Sequence, residues 1–301
     1  MLLTSLKVLF QHGTQYIKHL DRVKLCDEFR GRPVLRSAGL TAAGSKELCR
    51  MCPTGAIGMG GDGLRLDLGR CLFCGECAIR FPNNVRFTND YRLAATTREG
   101  LVVSEWEEDG IWKFDHTAVR KEVKRLFGRS LQLREVSAGG DNSCEMELGA
   151  AGNVNFDMGR YGIGFTASPR HADGVVVTGP VTANMARELE ATWQAVPEPK
   201  VLIAVGTDAI SGGLFAESPA VNRSFFEVHR PDLYVPGNPT HPMTFITGVR
   251  ALVERVERVA EEKETEAVAE EPTDVEVTEE AATTTVEEMP EPEQTKTKRK
   301  R

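Results

Sequence analysis

Residues 71 to 82 read CLFCGECAIRFP, three cysteines at x-x spacing followed by a proline. This is the iron–sulfur run C-x-x-C-x-x-C-x-x-x-C-P, with Phe81 standing in the place of the fourth cysteine. Upstream, CRMCPTGAI supplies a C-P at Cys52. Where two such runs occur, the last cysteine of each ligates the other run's cluster. The expectation is one 4Fe–4S cluster on Cys52, Cys71, Cys74 and Cys77. The same count places a second cluster's ligands at Ala42, Ser45, Leu48 and Phe81. None is a thiolate, so no second cluster is expected, and Cys49 and Cys26 are left as packed or spare thiols. Zinc competes, because two C-x-x-C pairs also suit that metal. The third cysteine at x-x spacing, the C-P partner and the glycine-bearing hairpin GAIGMGGDGLRLDLGRC favour the cluster.

A second stretch, GGDNSCEMEL at 139 to 148, has the look of a ligand loop with a ligand removed. Cys144 follows a glycine turn, and Asp141 stands where C-x-x-C would need its other thiolate. Glu145 and Glu147 flank the loop, where interface hydrogen bonding competes with proton transfer. His171, in SPRHAD, is taken as structural or interfacial. No phosphate-loop GKS or GKT and no serine–histidine–acid pattern is present.

The elements that must hold these loops follow from periodicity. DGVVVTG and KVLIAVG are β-branched runs suited to buried parallel strands. Between them VTANMARELEATWQA places Met185, Leu189 and Trp193 on one helical face, completing a βαβ unit. LYVPG offers another strand, and MTFITGVRALVERVERVA a closing helix with Phe245, Val249, Leu252 and Val256 inward. In a doubly wound sheet the site lies at the carboxyl ends of the strands, here the loops beginning at Gly139, Gly206 and Gly237.

Charge is segregated. Residues 261 to 293 hold fourteen acids and one lysine, and the last six residues carry five bases. Without these, residues 1 to 260 hold 30 acidic and 31 basic groups, which gives no bias toward nucleic acid. The acidic stretch lacks aromatics and reads as a disordered tail. No run reaches the length of a membrane span, and the N-terminus lacks the pattern of a secretory signal. It does read as an amphipathic helix with Leu6, Leu9, Phe10, Gly13, Ile17 and Leu20 on one face.

FRGRPVL at 29 to 35, followed by the cysteine-rich module, resembles the ferredoxin-type subunits of membrane-bound hydrogenases and complex I. From FGRSLQLREV at 127 onward the chain resembles the small electron-transfer subunit of energy-converting nickel–iron hydrogenases and formate hydrogenlyases, homologous to the terminal-cluster subunit of complex I. RYGIGFTASPRHADGVVVTGPVTANM, AVGTDAISGGLF and DLYVPGNPTHP carry that match, which spans about residues 26 to 255. It implies a ferredoxin-like module fused to a flavodoxin-like α/β domain. The implied divisions are an N-terminal segment (1–25), the ferredoxin-like domain (26–95), a linker (96–128), the α/β domain (129–260) and the tail (261–301).

The family pattern G-x-C-x-x-C-E, G-x-C-A and P-G-C-P appears here as GGDNSCE, GTDA and PGNP. The resemblance therefore implies a degenerate cluster site in which Cys144 remains and Asp141, Asp208 and Asn238 replace three thiolates. Hydrogen bonds and water would fill it, or a hard cation would, since carboxylate and amide oxygens suit magnesium or calcium. The implied function is a non-catalytic electron-transfer subunit, peripheral on the cytoplasmic side of a membrane-associated respiratory complex. The alternative is an assembly scaffold with a redox-inactive α/β domain. Implied partners are hydrogenase large-subunit-like or complex I-like proteins, membrane-arm subunits, and a soluble ferredoxin or other electron donor.

Overall fold

The computed structural model describes residues 2–253 except 14, 62, 106–111 and 129. The expected acidic tail and the inward-facing Val256 lie outside the described residues. The first half runs α1 (Leu2–His12), β1 (Pro33–Leu35), α2 (Ala42–Met51), β2 (Ile57–Gly60), β3 (Gly63–Asp67), α3 (Glu76–Arg80), β4 (Val85–Phe87), β5 (Val102–Ser104) and α4 (Lys121–Leu126). There follow β6 (Leu131–Ser137), α5 (Ser143–Ala151), β7 (Ile163–Phe165), β8 (Gly174–Thr178) and α6 (Ala183–Ala195). The chain continues with β9 (Val201–Val205), α7 (Thr207–Ser211), α8 (Ser224–Val228), β10 (Leu233–Val235) and α9 (Pro242–Val253).

The second half forms a five-stranded sheet in the order β10-β9-β8-β6-β7, every neighbouring pair parallel. Counted from β6, this is the flavodoxin-like order 2-1-3-4-5, whose crevice opens beside the first strand. Every residue of GVVVT in β8 and VLIAV in β9 is buried. Such unbroken β-branched runs form where both faces of a parallel sheet are covered. The helix α9 lies against α5 and β10 and is buried from Pro242 through Val249, with Phe245 fully enclosed. Removing that one side chain from water contributes about 1.5–3 kcal/mol. On α6, Leu189 is enclosed, with Met185 and Trp193 packed on the same cluster, as the 3.6-residue period requires.

The first half adds two small antiparallel sheets, β1-β4 and β2-β3-β5. The architecture is mixed, ferredoxin-like antiparallel pieces beside a flavodoxin-like α/β sheet. Leu64, Leu66 and Leu68 point from the β3 hairpin into a core shared with Leu48, Leu101 and Val103. The segment expected as a linker supplies part of this sheet, since β5 pairs with β3. Burial of Val119 and Val123 ties the rest of that segment to the α/β core.

The expected amphipathic helix is shorter than its periodicity. It stops at His12, and Gly13 follows with a positive φ of 58°, where glycine escapes the Cβ penalty. Leu9 and Phe10 on α1 stay exposed, whereas Leu20, on the same sequence face, is buried by a separate turn. Ile17 also packs on the main core.

Candidate functional site

The loops at the carboxyl ends of β6, β8, β9 and β10 meet in one small cavity of about 10 Å³. Asp141, Cys144, Glu145, Asp208 and Asn238 line it, with Ser143 and Thr207. The four positions expected at a degenerate centre are thus brought together by the sheet's topology. Glycines make the approach possible. A Cβ on Gly179 would fall 2.5 Å from the Gly140 nitrogen, so only two glycines let the loops after β6 and β8 touch. Gly206 has φ 89°, and a Cβ there would lie 2.6 Å from the Cys144 sulfur.

Several polar groups in the cavity have neighbours that explain their state. Asp141 accepts from the Ser143 hydroxyl at 2.6 Å and the Ser143 N–H at 2.9 Å. Those two bonds hold its carboxyl below the usual range. Burial pushes Asp208 up, and Asp141 adds to the effect, while the Arg223 guanidinium partly offsets it. Burial also pushes the Cys144 thiol up to about 11, so it stays protonated at neutral pH. Arg223 donates to the carbonyls of Asp208, Ala209 and Ile210 and so holds the short α7. Glu145 accepts from the Ser137 hydroxyl at 2.5 Å and the Thr178 hydroxyl at 2.7 Å. Glu147 is half-buried, and burial raises it. His171 is exposed on a 3-10 turn away from these loops.

The cysteine-rich loop is positioned by equally local means. Thr41 caps α2 by accepting from the Gly44 N–H at 3.1 Å, and Cys52 ends that helix. Phe73 and Gly75 both take positive φ, and Arg30 donates to the Phe73 carbonyl at 3.0 Å. Cys52, Cys71, Cys74 and Cys77 line one cavity of about 20 Å³. Cys71 and Cys77 are buried, while Cys74 is exposed and Cys52 half-buried. The Cys52 sulfur accepts from the Ala56 N–H at 3.2 Å, and the Cys71 sulfur from the Phe73 N–H at 3.3 Å. Burial pushes the thiols of Cys71 and Cys77 up to about 12 and about 11. Cys49 packs on the neighbouring core and Cys26 is exposed.

Sharing a cavity is not ligation. Among the described residues no group of three or more His, Cys, Asp or Glu side chains is placed to hold a metal ion. That corrects the expected 4Fe–4S cluster on Cys52, Cys71, Cys74 and Cys77, and with it the expected metal-binding electron carrier. Burial holds Cys71 and Cys77 as protonated thiols, whereas a cluster requires convergent thiolates. The expected membrane association also has no structural support here. Among the described residues no helix is long and apolar enough to cross a membrane.

Three residues essential to the site's geometry carry no motif: Thr207, Arg223 and Thr178. Their roles are side-chain hydrogen bonds that tie one loop to another. The hydroxyl next to Asp208 in GTDA was the one visible signal.

Residues 142–252 match the family of the NADH ubiquinone oxidoreductase 20 Kd subunit. The chain is similar to the probable membrane-bound hydrogenase subunit mbhJ of Pyrococcus furiosus, 33% identical over 138 residues. That alignment covers 46% of this chain and 83% of the relative. It is also similar to a subunit of the NADH-quinone oxidoreductase of Rubrobacter xylanophilus, 40% identical over 116 residues, covering 38% of this chain and 46% of that one. A chain in the structure of the membrane-bound sulfane sulfur reductase, an archaeal respiratory membrane complex, is similar at 25% identity and a TM-score of 0.37. The alignment covers 42% of this chain and 69% of that one.

Proposed function

The chain belongs to the family of the NADH ubiquinone oxidoreductase 20 Kd subunit, and from that premise we propose that it is a scaffold subunit of a hydrogenase- or complex I-like respiratory assembly. Its α/β domain is redox-inactive. One observation carries the reading. The three loops that converge at the sheet's carboxyl edge present Asp141, Asp208 and Asn238 around a single protonated thiol, Cys144. Iron–sulfur chemistry wants soft anionic sulfur, and here oxygen-bearing side chains stand in the places of three thiolates, with Asp141 bonded back to its own loop.

The surface around that cavity suits a protein neighbour. Met146 projects from α5 two residues past Cys144 and is 69% exposed. Leu214 and Phe215, 60% and 52% exposed, follow Gly213, which abuts Asp208. Large apolar side chains gathered at a crevice rim are typical of the central part of a protein interface. On this reading the ferredoxin-like module and the α/β domain together seat a large-subunit-like partner. The chain is then a peripheral member of the assembly.

The test uses the full chain with Cys52, Cys71, Cys74 and Cys77 all changed to serine, expressed with its native assembly. Assembly yield and subunit composition should match the native chain, and iron per native chain should stay well below one. About four irons per native chain, with a reversible low-potential couple lost in the serine variant, would sink the scaffold reading.

A further inference from the structure

The short helix α7 touches both cavities. Thr207 and Asp208 line the Cys144 cavity. Ala209 and Ile210 are buried in one apolar cluster with Cys71, Phe73 and Cys77 of the cysteine-rich loop. A Cβ on Gly69 would fall 2.7 Å from Ile210 Cγ2, so the chain entering that loop already abuts the helix. Five residues cannot sustain a helix by their own hydrogen bonds, and α7 depends on what grips its two ends. Arg223 grips the last turn through three carbonyls. The first residue is gripped by the bond from the Thr207 hydroxyl to the Cys71 carbonyl, and by its own N–H on the Gly237 carbonyl at 2.9 Å.

The exposed surface beyond α7 follows its position. The Ser211 hydroxyl donates to the Thr207 carbonyl at 3.0 Å and accepts from the Gly213 N–H at 3.2 Å. The Phe215 N–H donates to the Gly212 carbonyl at 2.9 Å. Leu214 and Phe215 are thereby carried on the end of the helix. At the other end the cysteine-rich loop is open to chemistry. Cys74 is exposed, and it lines the same cavity as the buried Cys71 and Cys77. That cavity, about 20 Å³, holds no more than about two waters, so a group added to a buried sulfur there displaces the loop.

We propose that α7 is a redox-sensitive relay: mixed-disulfide formation in the cysteine-rich loop breaks the Thr207–Cys71 bond and loosens the Leu214–Phe215 surface. The co-reactant is a low-molecular-weight disulfide. A cysteine thiolate bonds to one sulfur of that disulfide, whose S–S bond breaks and releases the other sulfur as a thiolate. The cysteine sulfur is oxidised, the leaving sulfur is reduced, and the cysteine's proton goes to water. Local opening of α7 is the two-state element that the modification biases. That the Leu214–Phe215 surface seats a partner rests on the scaffold reading. The relay does not, and it is tested with no partner present.

The test is amide hydrogen exchange on the full chain with Cys26, Cys49 and Cys144 changed to alanine, before and after methyl methanethiosulfonate. This reagent leaves the same kind of mixed disulfide on the remaining thiols. Modification should speed exchange across residues 207–215 about tenfold, the equilibrium weight of one buried hydrogen bond. Dithiothreitol should reverse the change, and amides of β8 and α9 should not respond. Adding Thr207→Val should speed exchange in 207–215 from the outset and remove the response to the reagent, whereas Thr207→Ser should retain the response. Each comparison is between modified and unmodified samples of one variant, so a general loss of stability does not imitate the result. No change in 207–215, an equal response in Thr207→Val, or a response shared by β8 and α9 overturns the proposal.

Discussion

The Thr207 hydroxyl donates to the carbonyl of Cys71 at 2.7 Å, across 136 residues of sequence. Thr207 opens α7 in the parallel-sheet domain, and Cys71 opens the cysteine-rich loop. The same hydroxyl lies 3.2 Å from the Gly237 carbonyl, so one side chain joins the cysteine loop to two loops of the sheet's edge. Thr207 is 1% exposed, and water cannot replace it. Thr207→Val keeps the shape and leaves the Cys71 carbonyl without this donor. The expected loss is about 1–3 kcal/mol in urea unfolding, largely restored by Thr207→Ser. An unchanged midpoint would show that the bond does not couple the loops.

Arg223 is a second strut. Its guanidinium reaches the carbonyls of Asp208, Ala209 and Ile210 at 3.1, 2.8 and 2.9 Å, capping a helix too short to satisfy its own end. Arg223→Met should cost about 1.5–3 kcal/mol, and Arg223→Lys should recover little, because an ammonium cannot span three carbonyls at once. Removing the cation should also raise the Asp208 carboxyl further, which NMR titration of that side chain would detect.

The sheet was legible because DGVVVTG and KVLIAVG are too apolar for anything but buried strands, and the loops beginning at Gly139, Gly206 and Gly237 do converge. Legibility ended where chemistry depends on side-chain direction. Cysteine spacing predicts which thiols share a loop, and the four do line one cavity. Spacing cannot say whether the sulfurs converge on one point, and here they do not. Periodicity likewise extended the N-terminal helix through Gly13 toward Leu20, because a hydrophobic face persists in sequence after the backbone has turned. The buried, unpartnered oxygen of Glu135 gave no signal at all, since a glutamate within LQLREVS reads as an outward strand position.

Gly206 explains why the residue before Thr207 has no side chain. With φ 89° and a hypothetical Cβ 2.6 Å from the Cys144 sulfur, Gly206→Ala meets both backbone strain and a clash. A loss of about 1–3 kcal/mol is expected. Cys144→Ala removes the sulfur, so the double variant should lose less than the sum of the two single changes. That non-additivity in a double-mutant cycle separates the clash from the backbone term. Strict additivity would mean that φ alone demands glycine.

Glu135 makes stability depend on pH. Burial, then the charge of Glu145, raises its carboxyl from 4.5 to about 7, with Arg134 opposing. The folded chain therefore holds this proton more tightly than the unfolded chain. The contribution is fully present below the unfolded value near 4.5 and is lost as pH rises through about 7. Glu135→Gln carries no such proton. Its stability relative to the native chain should improve between pH 5 and 8, by on the order of 1 kcal/mol once screening of the side chain's exposed part is allowed for. Parallel denaturation curves at about pH 5 and pH 8, at fixed ionic strength, measure this difference directly. A variant whose offset from the native chain is the same at both pH values would show that Glu135 ionises as freely in the fold as in the unfolded chain.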